Sequence, residues 1–351
     1  MDSRHEKALS RSNDGRRSWN FCTPPPPLQD DFTAMIAFRP LVEAAEARIR
    51  PHVRETLLEH SATLSALTDA SVYLKLENLQ RTGSFKVRGA FNRILSLGEP
   101  ERVRGIVAAS SGNHGAAVAL AMSRCGVAGI IFVPESASRA KVENIRRLGG
   151  DVRAAGKESG ATEMFARTYA ADHDMTYISP YNDEAVIAGQ GTIGAEIVRQ
   201  LPSVEAVVAS VGGGGLISGV AGYLKAVKPG IEAIGVSARN SMAMSESVRA
   251  GHVVETEHLP TLSDGTAGGI EPGTITFDLC RALVDSFVDI GEDDIRSALR
   301  LFIESHAMLC EGSAALAIAG LRASKERLRG RSVVVVICGA NITADKLKEA
   351  L

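Results

Sequence analysis

A lysine at the entry of a helix is the first group in this chain placed for covalent chemistry. Lys86 lies in TGSFKVRGAFNRI (residues 82–94). Upstream, VYLKLE (residues 72–77) alternates apolar and polar residues as a half-buried strand does. Downstream, Val87, Ala90, Phe91, Ile94 and Leu97 share one helical face. Lys86 therefore sits near a helix N-terminus, whose partial positive charge disfavours an ammonium and favours a neutral amine. Only the neutral amine attacks a carbonyl, so the setting suits a Schiff-base lysine. A solvated lysine at a helix start is the plainer alternative, and three further segments weigh on the choice.

The first is the glycine run VGGGGLISG (residues 211–219), which follows the apolar segment VEAVVASV and opens a helical one. Gly212, Gly213, Gly214 and Gly215 leave backbone N–H groups unobstructed at the positive end of a helix dipole, an arrangement that cradles phosphate. The dinucleotide pattern GxGxxG fits no register here, because the sixth position is Ile217 or Ser218. No Gly-Lys-Ser/Thr follows either, so a single phosphate is the best match. The second segment is SSGNHGAA (residues 110–117), again between a strand, GIVAAS, and a helix. Its small residues and helix-start N–H groups suit a carboxylate, and the Asn113 amide suits a ring hydroxyl. His114 invites acid–base chemistry, but a lone histidine beside a helix start reads better as a packed, hydrogen-bonded side chain. The third is ICGAN (residues 337–341), where the last strand ends and Cys338 and Asn341 are expected to come into the open. Nothing near Cys338 in sequence supplies a base for a nucleophile, so a neutral hydrogen-bond partner or simple packing is expected there.

The elements that must position these groups alternate along the chain. Helical stretches at residues 41–49, 116–123, 141–148 and 162–171 are interleaved with short strands rich in Val and Ile, namely GIVAAS, GIIFVP, VEAVVASV, IEAIGVS and VVVVIC. Strands apolar on both faces and separated by helices indicate parallel sheet flanked by helices. With 351 residues the chain is long enough for about two domains. A small domain over residues 105–183 is expected inside a larger one formed by 35–104 and 184–351, with a cofactor in the cleft between them. Residues 1–34 mix Asp2, Arg4, Glu6 and Lys7 with four prolines at 24–27, lack the apolar stretch of a secretory signal, and read as a disordered extension. A net charge of −2 gives no reason to expect nucleic acid or an anionic membrane as partner. Cys22, Cys125, Cys280, Cys310 and Cys338 form no CxxC pair, which indicates a reduced cytoplasmic protein without structural zinc.

Taken in order, TGSFKVRGA, SSGNHG, VGGGGL, LCEGSAA (residues 309–315) and CGAN resemble the fold-type II pyridoxal-phosphate enzymes, more narrowly the threonine/serine dehydratase and serine racemase family. The resemblance runs from about residue 41 to 346. It implies a tryptophan-synthase-β-like α/β fold with two parallel-sheet domains and pyridoxal 5'-phosphate in their cleft. It further implies that Lys86 carries the cofactor covalently, that Phe85 lies against its ring, and that Asn113 meets the ring hydroxyl. Gly212, Gly213, Gly214, Gly215 and Leu216 would hold the phosphate, and Glu311 would lie near the cofactor. Cys338 occupies the position facing the pyridine nitrogen. Ser111, Gly112, Asn113 and His114 would receive the carboxylate of a small amino-acid substrate. A homodimer is also implied.

The activity this implies is dehydration and deamination of a small β-hydroxy amino acid, with L-threonine or L-serine first. Serine racemase and a dehydratase for phenylserine or hydroxyaspartate are the rivals within the family; a cofactor-binding protein without turnover and a cofactor-free regulatory relative stand outside it. A neutral thiol at Cys338 does not hold the pyridine nitrogen protonated, which leaves a weaker electron sink and suits β-elimination. Ser111 resembles the serine that racemases use on the opposite face, so racemisation stays open. The chain ends ten residues after Asn341, and no isoleucine-binding regulatory domain is expected. Racemase-type members carry a metal-binding glutamate after the segment equivalent to IEAIGV, and an aspartate six residues on. Ser237 and Ala243 stand at those positions here, a poor site for a hard cation. Chelation should therefore leave turnover nearly unchanged, and a large loss restored by magnesium would show that this loop had been matched wrongly.

Overall fold

The computed structural model describes residues 37–351. The expected extension over residues 1–34, with Cys22, lies outside them. Ten strands occur among the described residues: β1 Leu58–His60, β2 Ser71–Lys75, β3 Ile106–Ala109, β4 Gly129–Val133, β5 Asp151–Ala154, β6 Thr176–Tyr177, β7 Ala206–Ser210, β8 Glu232–Ala238, β9 Ser286–Ile290 and β10 Ser332–Val336. They form a six-stranded sheet in the order β1-β2-β10-β7-β8-β9 and a four-stranded sheet in the order β5-β4-β3-β6. Every pairing is parallel except β1 with β2. The sheets are covered by helices, which is why β7 and β10 are apolar on both faces: all of β7 and Val333 to Val336 of β10 are buried. The fold is the α/β, two-sheet architecture the sequence implied.

The helix that opens at Lys86 (Lys86–Ser96) joins the two sheets. Its apolar face, Val87, Ala90, Phe91 and Ile94, is buried in one core with Ile106 and Ala108 of β3 and with Ala116 and Val118 of the helix Asn113–Cys125. Its first residues meet the larger sheet, next to the end of β10. The Lys86 amine is thereby carried to the border between the sheets.

Two long helices, Glu184–Gln200 and Gly215–Val227, pack backbone against backbone where Gly191 and Gly219 face each other. A Cβ at Gly219 would lie 2.3 Å from the Ile187 carbonyl oxygen and 2.7 Å from the Gly191 nitrogen. The second of these helices begins at the glycine run, so this contact also sets where the run lies. Gly219→Ala should cost about 2–3 kcal/mol of stability in a urea titration, because the overpacked atoms are backbone and cannot turn away. An unchanged midpoint would mean that the two helices separate freely.

Candidate active site

Lys86 is presented by a strained turn stitched to the chain that leaves β10. Thr82 adopts φ 63°, a left-handed conformation that a β-branched residue enters at a cost of roughly 1–2 kcal/mol. Three hydrogen bonds hold the turn: Phe85 N donates to the Cys338 carbonyl at 3.1 Å, Ala340 N to the Gly83 carbonyl at 2.9 Å, and Asn341 Nδ2 to the Thr82 carbonyl at 2.8 Å. Ser84 and Gly339 form an isolated bridge in the same seam. The Lys86 Nζ donates to the Pro180 carbonyl at 2.8 Å and lies 5.1 Å from the Phe85 ring centroid. Lys86 is half-buried, and the surrounding protein desolvates its amine. That desolvation brings the amine down to about 8, against the opposing pull of Cys338 and Glu311.

Across from the lysine, Asn113 begins its helix with the side chain turned to the larger sheet. Its Nδ2 donates to both Glu311 oxygens, at 3.0 and 2.9 Å, and its Oδ1 accepts from Asn341 Nδ2 at 2.6 Å. Burial pushes Glu311 up to about 7, and Asp264 adds to the rise, while Asn113 and Lys86 oppose it. Cys338 was expected in the open; it is 2% exposed, because the seam to residues 83–85 covers it, and only Asn341 emerges. The Cys338 thiol donates to Glu311 Oε1 at 3.9 Å and accepts from the Ser210 hydroxyl at 3.7 Å. Burial raises this thiol far above its ordinary range, so it stays neutral. Glu311 and Lys86 are thus two groups of opposite type, both drawn towards neutrality by the same lack of water.

The glycine run lies against a residue that sequence reasoning did not single out. A Cβ at Gly213 would sit 2.4 Å from the Tyr181 ring, and Tyr181 follows directly on Pro180, the acceptor for Lys86. Tyr181 also accepts a hydrogen bond from Glu271 N at 3.1 Å, and burial pushes its phenol up to about 12. Gly214 has φ 82° and caps the helix Gly215–Val227; a Cβ there would meet Cys280 Sγ at 2.8 Å. Only glycine fits both positions, and the N–H groups at this helix start stay unobstructed. The Leu216 side chain is buried in the core.

In the loop before Asn113, Ser111 and Gly112 are half-buried, and Gly112 N donates to Ser110 Oγ at 3.1 Å. His114 turns inward: its Nε2 bonds the Ile178 carbonyl at 2.9 Å, and burial together with the nearby Lys86 holds it down to about 3. It is a packed neutral ring with no acid–base role. Two hydroxyls beside the site, Ser84 Oγ and Ser313 Oγ, are buried without a partner. Ser237 lies in β8 beside Asp289 of β9, whose carboxylate is taken up by Ser245 and Arg249.

Nothing in the sequence near Tyr181 or Pro180 marks them as site residues, and a neighbouring helix start brings them in; Ser210, two residues before Gly212, is set beside Cys338 by sheet order. Phe85, Lys86, Asn113, Glu311 and Cys338 do converge, and the glycine run joins them through Pro180 and Tyr181.

In protein stripped of cofactor, the Lys86 amine should react with a small acylating agent with a midpoint near pH 8, read by peptide mapping, because it is neutral above that value and charged below it. A midpoint at the ordinary lysine value would mean that water reaches the group.

The model of the family described as "Pyridoxal-phosphate dependent enzyme" matches residues 49–339. An L-threonine ammonia-lyase from Thermotoga maritima is 40% identical over 306 residues, 87% of this chain and 76% of its own length. A catabolic L-threonine dehydratase from Staphylococcus aureus is 39% identical, over 86% of this chain and 88% of its own. Among solved structures, processed threonine deaminase isoform 2 from Solanum lycopersicum superposes with a TM-score of 0.88 at 33% identity, over 96% of this chain and 98% of its own. Serine racemase from Dictyostelium discoideum gives 0.81 at 31% identity, over 88% and 100%. The family match over residues 49–339 and the 40% identity over 87% of the chain place this protein in the pyridoxal-phosphate dependent enzyme family.

Proposed function

We propose that this enzyme is an ammonia-lyase that dehydrates a small β-hydroxy amino acid, L-threonine or L-serine, to an enamine whose hydrolysis yields a 2-oxo acid and ammonia. The observation that carries the reading is Lys86: an amine brought to about 8 by desolvation, next to a helix start that only glycine can line. The similarity to proteins named threonine ammonia-lyase and threonine dehydratase supports the choice of reaction.

The residues fit pyridoxal phosphate. Lys86 would bear it, with Phe85 against the ring. Gly212 to Gly215, with the N–H of Leu216, would hold the phosphate, and Tyr181 crowds the run so that no larger side chain could intrude. Asn113 and Cys338 would meet the ring hydroxyl and the ring nitrogen. The unpartnered hydroxyls of Ser84 and Ser313 leave donors free beside the site. When bound, the cofactor supplies an electron sink that makes the substrate's α-proton acidic.

The protein's own part is proton handling and orientation. Lys86, neutral above about pH 8, can take the α-proton. Glu311, neutral below about pH 7, keeps an acid within electrostatic reach of it. The helix start at Asn113, with Ser111, Gly112 and His114, offers N–H groups to the substrate carboxylate. A neutral Cys338 thiol facing the ring nitrogen would not hold it protonated, and the weaker electron sink would favour departure of the β-hydroxyl over slower routes. The enamine so released takes up water to give the 2-oxo acid and ammonia. The same reading includes a small domain over residues 105–183, supported by the strands of the four-stranded sheet, and a homodimer in the cytoplasm. No helix among the described residues is long and apolar enough to cross a membrane. The reading gives a metal no part, because Ser237 and Ala243 offer no carboxylate to a hard cation.

The test is the product of L-serine and L-threonine turnover. Pyruvate and 2-oxobutanoate should form with ammonia, and Lys86→Ala should abolish both while remaining folded. Ser111→Ala should suppress any D-isomer and spare most elimination. D-serine accumulating faster than pyruvate in the wild type would replace the lyase by a racemase.

A further inference from the structure

Four charged side chains with no exposed surface lie behind the Lys86 helix: Lys75, Glu77, Arg88 and Glu196. Arg88 is their hub. Its Nε and Nη2 donate to the two Glu77 oxygens, both at 2.8 Å, and its Nη1 and Nη2 donate to the two Glu196 oxygens, both at 2.8 Å. The remaining Nη1 hydrogen goes to Thr192 Oγ1 at 3.1 Å, and the Arg54 carbonyl at 3.4 Å shares an Nη2 hydrogen. Glu196 also pairs with Lys75 at 2.6 Å and Arg50 at 2.9 Å, and Thr56 Oγ1 donates to Glu77 at 2.6 Å. The cations hold Glu196 down to about 2 despite its burial, so it stays charged.

Burying four charges is a poor way to gain stability, since apolar residues of similar volume serve as well or better. The network therefore calls for another reason, and its location supplies one. Arg88 is two residues from Lys86 on the same helix, so the two side chains leave the axis about 200° apart, on nearly opposite faces. Glu77 belongs to a turn just after β2, and Glu196 to the helix Glu184–Gln200. A planar fork gripped by carboxylates from two separate elements fixes the rotation of the helix about its axis. At a side-chain radius of about 5–6 Å, a 20° rotation would move the tip of the opposite residue by roughly 2 Å.

We propose that Arg88 is a positioning residue for the reaction: its double clamp on Glu77 and Glu196 sets the rotation of the helix and so aims the Lys86 amine into the cleft. The proposal rests on the reading that Lys86 bears the cofactor.

The test uses the holoenzyme and two readouts: kcat and KM for L-threonine, and the fraction of bound cofactor that borohydride fixes to Lys86, read by intact mass. Arg88→Lys keeps the charge and loses the fork. It should lower kcat about tenfold or more with KM within about twofold, and reduce the fixed fraction, since an ångström of misplacement is expensive in rate. Lys75→Met removes a charge from the same network without touching the helix; it should lower the melting temperature and leave both readouts at wild-type values. If Arg88→Lys does not fold, Glu77→Gln is read in its place, with the same expectation at smaller amplitude. Wild-type kcat and fixation in the folded Arg88 or Glu77 variant would overturn the proposal, as would equal losses in Lys75→Met. Turnover surviving in Lys86→Ala would instead overturn the reading of Lys86, a separate result.

Discussion

Water is partly kept from one amine, and much of the molecule is arranged around that exclusion. An amine at a helix start on an open surface would remain charged at neutral pH. Here the turn before it is stitched to residues 338–341, the Phe85 ring lies beneath it, and Pro180 accepts its hydrogen bond, so that solvation is replaced by a few fixed dipoles. The same exclusion raises Glu311, which sits beyond Cys338 in the same dry space. An acid near 7 and an amine near 8 bracket the range in which proton transfer between them costs little. Neither value belongs to either residue alone; both come from the place where the two sheets meet.

The Lys86 helix has to satisfy both sides of that border. One face is apolar and buried with the helix and strands of the four-stranded sheet. Another carries Arg88 into a charged knot tied to the six-stranded sheet and its helices. Asn113 spans the same gap from the other direction, held by Glu311 and Asn341. Polar ties have fixed directions where apolar packing does not, and they recur at the points where aim matters.

What the sequence made legible was local. Lys86 between a strand and a helix, four glycines at a helix start, and Asn113 at another are each written within a dozen neighbouring residues, and the order of those segments carried the family resemblance. Alternating Val-rich runs and helical stretches likewise announced buried parallel sheet. Cys338 was misjudged as open because its cover, residues 83–85, lies some 250 positions away in the chain. Tyr181 was silent for the same reason, a tyrosine before a helix cap that looks ordinary until the fold sets it beside the glycine run; Ser210, just before that run, gave no sign of its contact with Cys338. The Arg88 knot could not have been read from VRGA at all, since both of its carboxylate partners come from elsewhere in the chain.

Strand order has a further consequence, for biosynthesis. β10 is the last strand to be made, yet it lies inside the six-stranded sheet, between β2 and β7. Until it arrives, the antiparallel pair β1–β2 has no parallel neighbour and the strands β7, β8 and β9 present an unfinished edge. The stitches that hold Thr82, Gly83 and Phe85 also come from the residues just after β10. A ribosome-bound chain can assemble the four-stranded sheet early, because its strands are contiguous in sequence, but it cannot close the larger one. The reactive amine is thus unaimed until β10 and the residues after it have been made, and it acquires its setting only when that strand is in place.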